Sequence, residues 1–164
     1  MGSGKSDLYS GTRGQRAVPG SIDYMPKGQR FSKYIKNRKD IDLNGYIDVI
    51  AHGSTKSIQI QNGNQVIAID HRTAAKMFKK NPAFKGKSIR LLSCDTGKDP
   101  LGFAQNLANK LNVVVEAPTE WVWATPSGHH FVAAPDRYRE NPDTTKPGRF
   151  IKFYPGGNKR WLKK

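Results

Sequence analysis

Short apolar runs that alternate with amphipathic helical stretches leave a chain few ways to fold, and this sequence carries that alternation through its middle. Tyr46–Ala51 (YIDVIA), Lys87–Ser93 (KSIRLLS) and Val113–Ala117 (VVVEA) have the length and β-branched content of strands buried on both faces. Between the first two lies a hairpin, Ser57–Gln61 and Gln65–Ile69, about an Asn62-Gly63-Asn64 turn. A helix follows that Asp70 can cap, with Ala74, Ala75 and Phe78 as its apolar stripe, and Asn81-Pro82 ends it. Between the second and third runs, Asp99 as N-cap and Pro100 at the first helical position predict a helix start. Phe103, Ala104, Leu107, Ala108 and Leu111 then recur on one side, and Asn112 closes the helix. Strand, helix, strand, helix, strand implies parallel βαβ units. The expected fold is therefore α/β: a small, mostly parallel central sheet flanked by helices, with a β-hairpin insertion and a β-rich C-terminal part. That last part comprises Glu120–Ala124 and His129–Ala134 around the Pro126-Ser127-Gly128 turn, then Arg149–Tyr154.

A length of 164 residues suits one domain with a core large enough to fold unaided. Residues 1–27, rich in Gly, Ser, Pro and Arg, read as a basic flexible arm, and 28–164 as a single α/β catalytic-type domain. Gln29–Asn37 predicts a short helix with Phe31, Tyr34 and Ile35 on one face; no strand is discernible before residue 44. No apolar stretch has the length of a membrane span or of a signal-peptide core. The net charge of +15 sits mainly on the flanks: Lys and Arg outnumber Asp and Glu nine to three in residues 1–40, and nine to three again in 135–164. Such flanks attract polyanions and acidic partners, so nucleic acid is a possible ligand of the basic flanks.

One cysteine excludes an internal disulfide framework and a Cys-rich zinc site. Adjacent His129 and His130 on a strand point to opposite faces, a poor basis for joint ligation. No metal or cofactor is expected. In a parallel sheet, ligands bind beyond the carboxyl ends of the strands. The first core strand runs into His52-Gly53-Ser54 and the second into Cys94-Asp95, which puts an imidazole and a thiol on one rim. A thiol beside an imidazole can be held as the nucleophilic thiolate. Gly53 lets backbone pass close to a substrate, and its N–H, with that of Cys94, can point at a developing oxyanion. Trp121 and Trp123 are expected to put one ring in the core and one at the surface.

An apolar strand ending in His-Gly, followed some tens of residues later by one ending in Ser-Cys, resembles the clan CD cysteine peptidases. These include caspases, gingipains, clostripain and the self-processing cysteine protease domains of large bacterial toxins. The resemblance spans about Ile47 to Ala124, roughly half of the chain. It implies a caspase-like sheet, a His52/Cys94 dyad with Cys94 as nucleophile, and an oxyanion-hole N–H from Gly53. The stretch from Glu116 to Trp123 falls where that family builds its specificity pocket. Glu120, Trp121 and Trp123, with Ser54 and Asp95 beside the dyad, become the expected substrate contacts, and Glu120 would suit a basic side chain. The expected function is a cysteine-dependent hydrolase with a peptide or protein substrate, a toxin or self-processing domain secreted or delivered into a target cell as part of a larger bacterial protein. It would work in a reducing cytoplasm and meet an acidic immunity protein as partner. The alternative is a basic nucleic-acid-targeting toxin or binding module without cysteine chemistry.

Overall fold

The computed structural model describes residues 20–26, 28–41 and 45–157. In chain order the elements are β1 (Ser21–Asp23), α1 (Arg30–Ile35), β2 (Tyr46–Ile50), β3 (Ile58–Asn62), β4 (Gln65–Ile69), α2 (His71–Lys80) and β5 (Ser88–Leu92). Then come α3 (Phe103–Leu111), β6 (Val115–Pro118), β7 (Trp121–Ala124), β8 (His130–Pro135), β9 (Pro142–Pro147) and β10 (Phe150–Phe153). The central sheet has the order β1-β2-β5-β6-β10 and is parallel except for β10, which runs against β6. The β3–β4 hairpin and the antiparallel β7-β8-β9 sheet are separate. The chain is thus a mixed α/β fold around a mostly parallel sheet.

Strand alternation decides which layer covers which face. Ile47, Val49, Ile89 and Leu91 point to one side, where they bury Ala74, Phe78, Phe103 and Leu107 of α2 and α3 and Ile58 and Ile60 of the hairpin. Ile50 and Leu92 point to the other, against Ile35 of α1 and Val122 of β7. Local chemistry agrees with the packing. The Asp70 carboxylate accepts from Thr73 N at 3.0 Å and caps α2, while Asn112 in the left-handed conformation (φ 56°) closes α3.

The second face also holds charge. Asp48 and Arg90, paired in register on β2 and β5, are 1% and 9% exposed. Arg90 donates to both Asp48 oxygens, at 2.8 and 2.7 Å, in a bidentate pair. Arg38, just beyond α1 and 3% exposed, donates to the same carboxylate at 2.9 Å, and also to Ile35 O and to the Ser21 hydroxyl. Arg90 reaches on to Asp40 at 2.7 Å, which in turn holds His130 of β8 at 2.9 Å. Burial alone would raise the Asp40 carboxyl; the Arg90 guanidinium, and then His130, hold it well below the usual carboxylate range.

Three sequence-based expectations change. The stretch assigned to a flexible arm contains β1: Ile22, Tyr24 and Met25 are buried, so the domain begins before residue 27, while residues 1–19 lie outside those described. Three residues are too few to register as a strand, and β1 is specified by pairing with β2. Helix α3 begins at Phe103 behind Gly102. Asp99 caps the preceding turn, accepting from Leu101 N at 2.9 Å, because the Phe103 amide is taken by Thr55 O at 2.8 Å. Strand β9 was not expected; its proline at either end and its exposed residues mark an edge strand. The basic tail from Asn158 lies outside the described residues.

Replacing Asp48 by Ala strands two buried guanidinium groups around one lost carboxylate. The expected loss is about 3–5 kcal/mol of folding stability, read by urea unfolding, whereas Lys146→Ala on the exposed edge strand should cost less than about 0.5 kcal/mol.

Candidate functional site

The register of β2 against β5 locates the site. Tyr46 pairs with Ser88 and Ile50 with Leu92, and His52 and Cys94 each stand two residues beyond that last pair, where both line one cleft. The two strand ends are pressed together there. A Cβ on Gly53 would collide with the Ser93 hydroxyl and sit 2.8 Å from both Cys94 O and the Thr96 methyl, so only glycine fits. A Cβ on Gly97 would lie 2.7 Å from Ala117 O, which shows the turn after Cys94 equally tight against the end of β6. The hairpin braces the other side: Gln59 N donates to His52 O at 2.8 Å and Ser54 N to Ser57 O at 2.9 Å.

Cys94 is enclosed. Its Sγ accepts from Val122 N at 3.4 Å, and burial, with the adjacent Asp95 charge, pushes its thiol up to about 11. The thiolate that a neighbouring imidazole can hold is not the resting form: no hydrogen bond joins Sγ to His52 among the described residues, and the raised thiol is protonated at neutral pH. The His52 ring is half-buried, and burial holds its pKa below the ordinary 6.5. Its Nε2 bonds Gln29 Oε1 at 2.9 Å. An amide oxygen only accepts, so Nε2 carries the proton and Nδ1 keeps the lone pair. Thiol and imidazole are both neutral, with a basic nitrogen available. The amide of Gly53 donates to no acceptor among the described residues, and that of Cys94 faces its own sulfur. Asp95 follows in the left-handed region (φ 63°), a strained place for a non-glycine residue. Burial raises its carboxyl, Lys98 only partly offsets this, and its Oδ1 is buried with no partner.

These strand ends floor a cleft of about 730 Å³, of the size that takes a small ligand or a short peptide segment. Of the expected site residues, His52, Gly53, Ser54, Cys94, Asp95, Trp121 and Trp123 all line it. Glu120 does not: its side chain turns to Lys98 at 3.3 Å, while its carbonyl accepts from Asp95 N. The expected split of the two tryptophans is also corrected. Residues i and i+2 of a strand share a face, so both rings line the cleft, 5.7 Å apart, and Val122 between them is buried. Ser54 is a turn former as well as a wall, its hydroxyl accepting from Lys56 and Ser57 N.

Sequence reasoning missed the opposite wall. Arg30, Phe31 and Tyr34 of α1 line it, and the N-cap Gln29 holds His52, although the sequence marks the segment only as a short amphipathic helix. Arg139, also left-handed (φ 61°), carries its guanidinium 4.6 Å above the Trp121 ring and closes the cleft from the β8–β9 loop. No periodicity announces a loop residue. His130 is bound to Asp40, and His129 stacks on Phe131.

Fold and site together define an α/β domain with a thiol–imidazole cleft at the carboxyl ends of its parallel strands. Residues 20–132 match the model of a domain of unknown function, DUF8616, and the chain belongs to that family. The match starts at the residue before β1, in keeping with a domain that begins there. No curated protein and no solved structure matches the chain.

With its thiol raised to about 11, Cys94 should alkylate slowly with iodoacetamide at pH 7–8, the rate climbing through pH 10. His52→Ala should leave that resting rate unchanged. Mass spectrometry of the quenched reaction reads both; rapid, His52-dependent labelling at neutral pH would show an ion pair instead.

Proposed function

We propose that this domain is a cysteine-dependent hydrolase, a peptidase of caspase-like organisation, with Cys94 as nucleophile and His52 as general base and acid. The observation that carries this reading is that both residues stand two positions past the last paired residues of neighbouring strands and line one cleft, beside a Gly53 amide without an acceptor among the described residues. The aromatic walls supply apolar area to hold an extended peptide, and the strained Asp95 and Arg139 flank the same space.

The resting charges assign the chemistry. A protonated thiol beside a neutral imidazole works by base-assisted attack. As Sγ bonds to the substrate carbonyl carbon, its proton passes to His52 Nδ1 and the carbonyl oxygen takes the negative charge. The Gly53 and Cys94 N–H groups donate to that oxygen. The C–N bond then breaks, the proton on Nδ1 moves to the leaving amine, and a thioester remains on Cys94. Water, deprotonated by Nδ1, cleaves the thioester, and its proton returns to the thiol. Gln29 serves as a positioning residue, since its hold on Nε2–H keeps Nδ1 free for these transfers.

A single cysteine forms no internal disulfide, which suits a reducing compartment. Together with the basic charge, that fits a toxin or self-processing domain carried by a larger bacterial protein and active in a target cytoplasm. An acidic immunity protein is the fitting partner for a +15 chain. No helix among the described residues is long and apolar enough to cross a membrane.

Peptide-library digestion read by mass spectrometry tests the reading. Wild type should release defined fragments, Cys94→Ala none, and His52→Ala about 10²- to 10⁴-fold fewer. Activity should disappear on acidification only below the ordinary histidine range, because His52 protonates late and only its neutral form is a base. Gln29→Glu, which sets a carboxylate beside the ring, should shift that acid limb to higher pH. A folded Cys94→Ala variant with full cleavage would refute the assignment.

A further inference from the structure

The sequence places most of its positive charge on its two flanks, yet the centre of the chain also forms a one-sided surface among the described residues. No carboxylate occurs from His71 to Cys94, or from Pro100 to Val115, the segments that build α2, β5 and α3. The two helices cover the sheet face opposite the cleft, and what they show to solvent is cationic. On α2 the exposed side chains are Arg72, Thr73, Lys76, Lys79 and Lys80, and Lys85 and the C-terminal Lys110 of α3 are exposed as well. The positions 72, 76, 79 and 80 follow helical spacing, so the charges form one ridge about 12 Å long. Arg72 and Lys110 lie close enough to the start of α2 to help depress His71, after burial as the larger cause. The carboxylate nearest the ridge in sequence, Asp70, is committed to capping Thr73 N and to a 3.8 Å pair with Arg72. Lys79 and Lys80 suit the C-terminal turn of the helix, but like charges one turn apart, as at Arg72 and Lys76, destabilise it, so helix stability does not explain the whole ridge.

We infer that this ridge docks the phosphate backbone of nucleic acid, independently of base sequence and of the chemistry in the cleft. Three observations single out that partner. Exposed α2 carries no aliphatic or aromatic side chain, whereas protein interfaces are anchored by such groups. The apolar stripe of α2 (Ala74, Ala75, Met77, Phe78) is buried in the core, which leaves nothing to insert into a lipid surface. Without an aromatic ring there is no stacking and no base readout, so the contact is made by point charges on phosphates. Because the ridge and the cleft lie on opposite sides of the sheet, a domain held this way keeps His52 and Cys94 open to substrate.

Fluorescence anisotropy with a random-sequence 20-base-pair DNA duplex, measured across a salt series, tests the inference. The variant Arg72→Glu/Lys76→Glu/Lys79→Glu should lower affinity by roughly tenfold or more near 100 mM salt and flatten the log–log salt slope by about three. The control Lys33→Glu/Lys56→Glu/Lys146→Glu makes the same change in net charge at exposed sites elsewhere and should weaken binding far less. Circular dichroism on both variants verifies that each is folded. Equal losses in the two variants would overturn the inference, because net charge alone would then govern binding. Salt-insensitive or absent binding by wild type, or competition by polyglutamate as strong per charge as by DNA, would overturn it equally. Peptide cleavage by the ridge variant should remain at the wild-type level, so this inference and the hydrolase reading fail separately.

Discussion

Asp48 lies in the middle of a sheet covered on both faces, where water reaches almost none of its surface. An isolated carboxylate there would carry a desolvation penalty of several kcal/mol. It is stable only because Arg38 and Arg90 both close on it, and those two arginines are themselves buried and need it in return. The mutual requirement ties four elements to one point: β2 through Asp48, β5 through Arg90, the end of α1 through Arg38, and β1 through Ser21. Asp40 and His130 extend the tie to β8. Sliding β5 by one residue against β2 would pull Arg90 from its partner and turn Ile89 and Leu91 to the wrong face. The same register carries His52 and Cys94 to neighbouring strand ends.

The cleft that results is assembled yet electrically quiet. A half-buried thiol pushed up to about 11 costs roughly 3 kcal/mol more to ionise than an ordinary one, and among the described residues no cation pairs with it to repay that. Catalysis through such a group has to draw its driving force from the transition state: proton transfer to a pre-oriented Nδ1 and charge capture by two amides. A thiol of this kind is also protected from adventitious oxidation and alkylation at rest. Gly53 is the geometric condition for the arrangement, since any Cβ there separates the two strand ends.

The alternation of apolar runs and helical stripes made β2, β5, β6, the hairpin, α2 and the body of α3 legible, because each buries a face that its sequence period declares. The placement of His52 and Cys94 in one cleft was legible for the same reason: both follow directly on such runs. What escaped was set by tertiary contact. Three-residue β1 has no period of its own and exists by pairing with β2; the start of α3 was moved by the Thr55 carbonyl, which no local rule foresees. Asp48 and Arg90 sit inside runs that read as uninterrupted apolar strands, and their partnership spans 42 residues. Gln29 and Arg139 come to the cleft from a helix start and a loop. The protonation of Cys94 depends on enclosure, which composition cannot report. The two tryptophans were a matter of parity along a strand, and strict alternation places both in the cleft.

The central claim is that peptide binding, and not resting ionisation, brings Cys94 into reaction with His52. Covalent labelling with a panel of peptidyl acyloxymethyl ketones, followed by intact-protein mass spectrometry at neutral pH, addresses it directly. The account predicts a single adduct on Cys94 that forms rapidly with peptide-bearing reagents, slowly with a reagent stripped of its peptide, and slowly with either in His52→Ala. Labelling that ignores the peptide or survives loss of His52 would contradict it and leave Cys94 as a packing thiol.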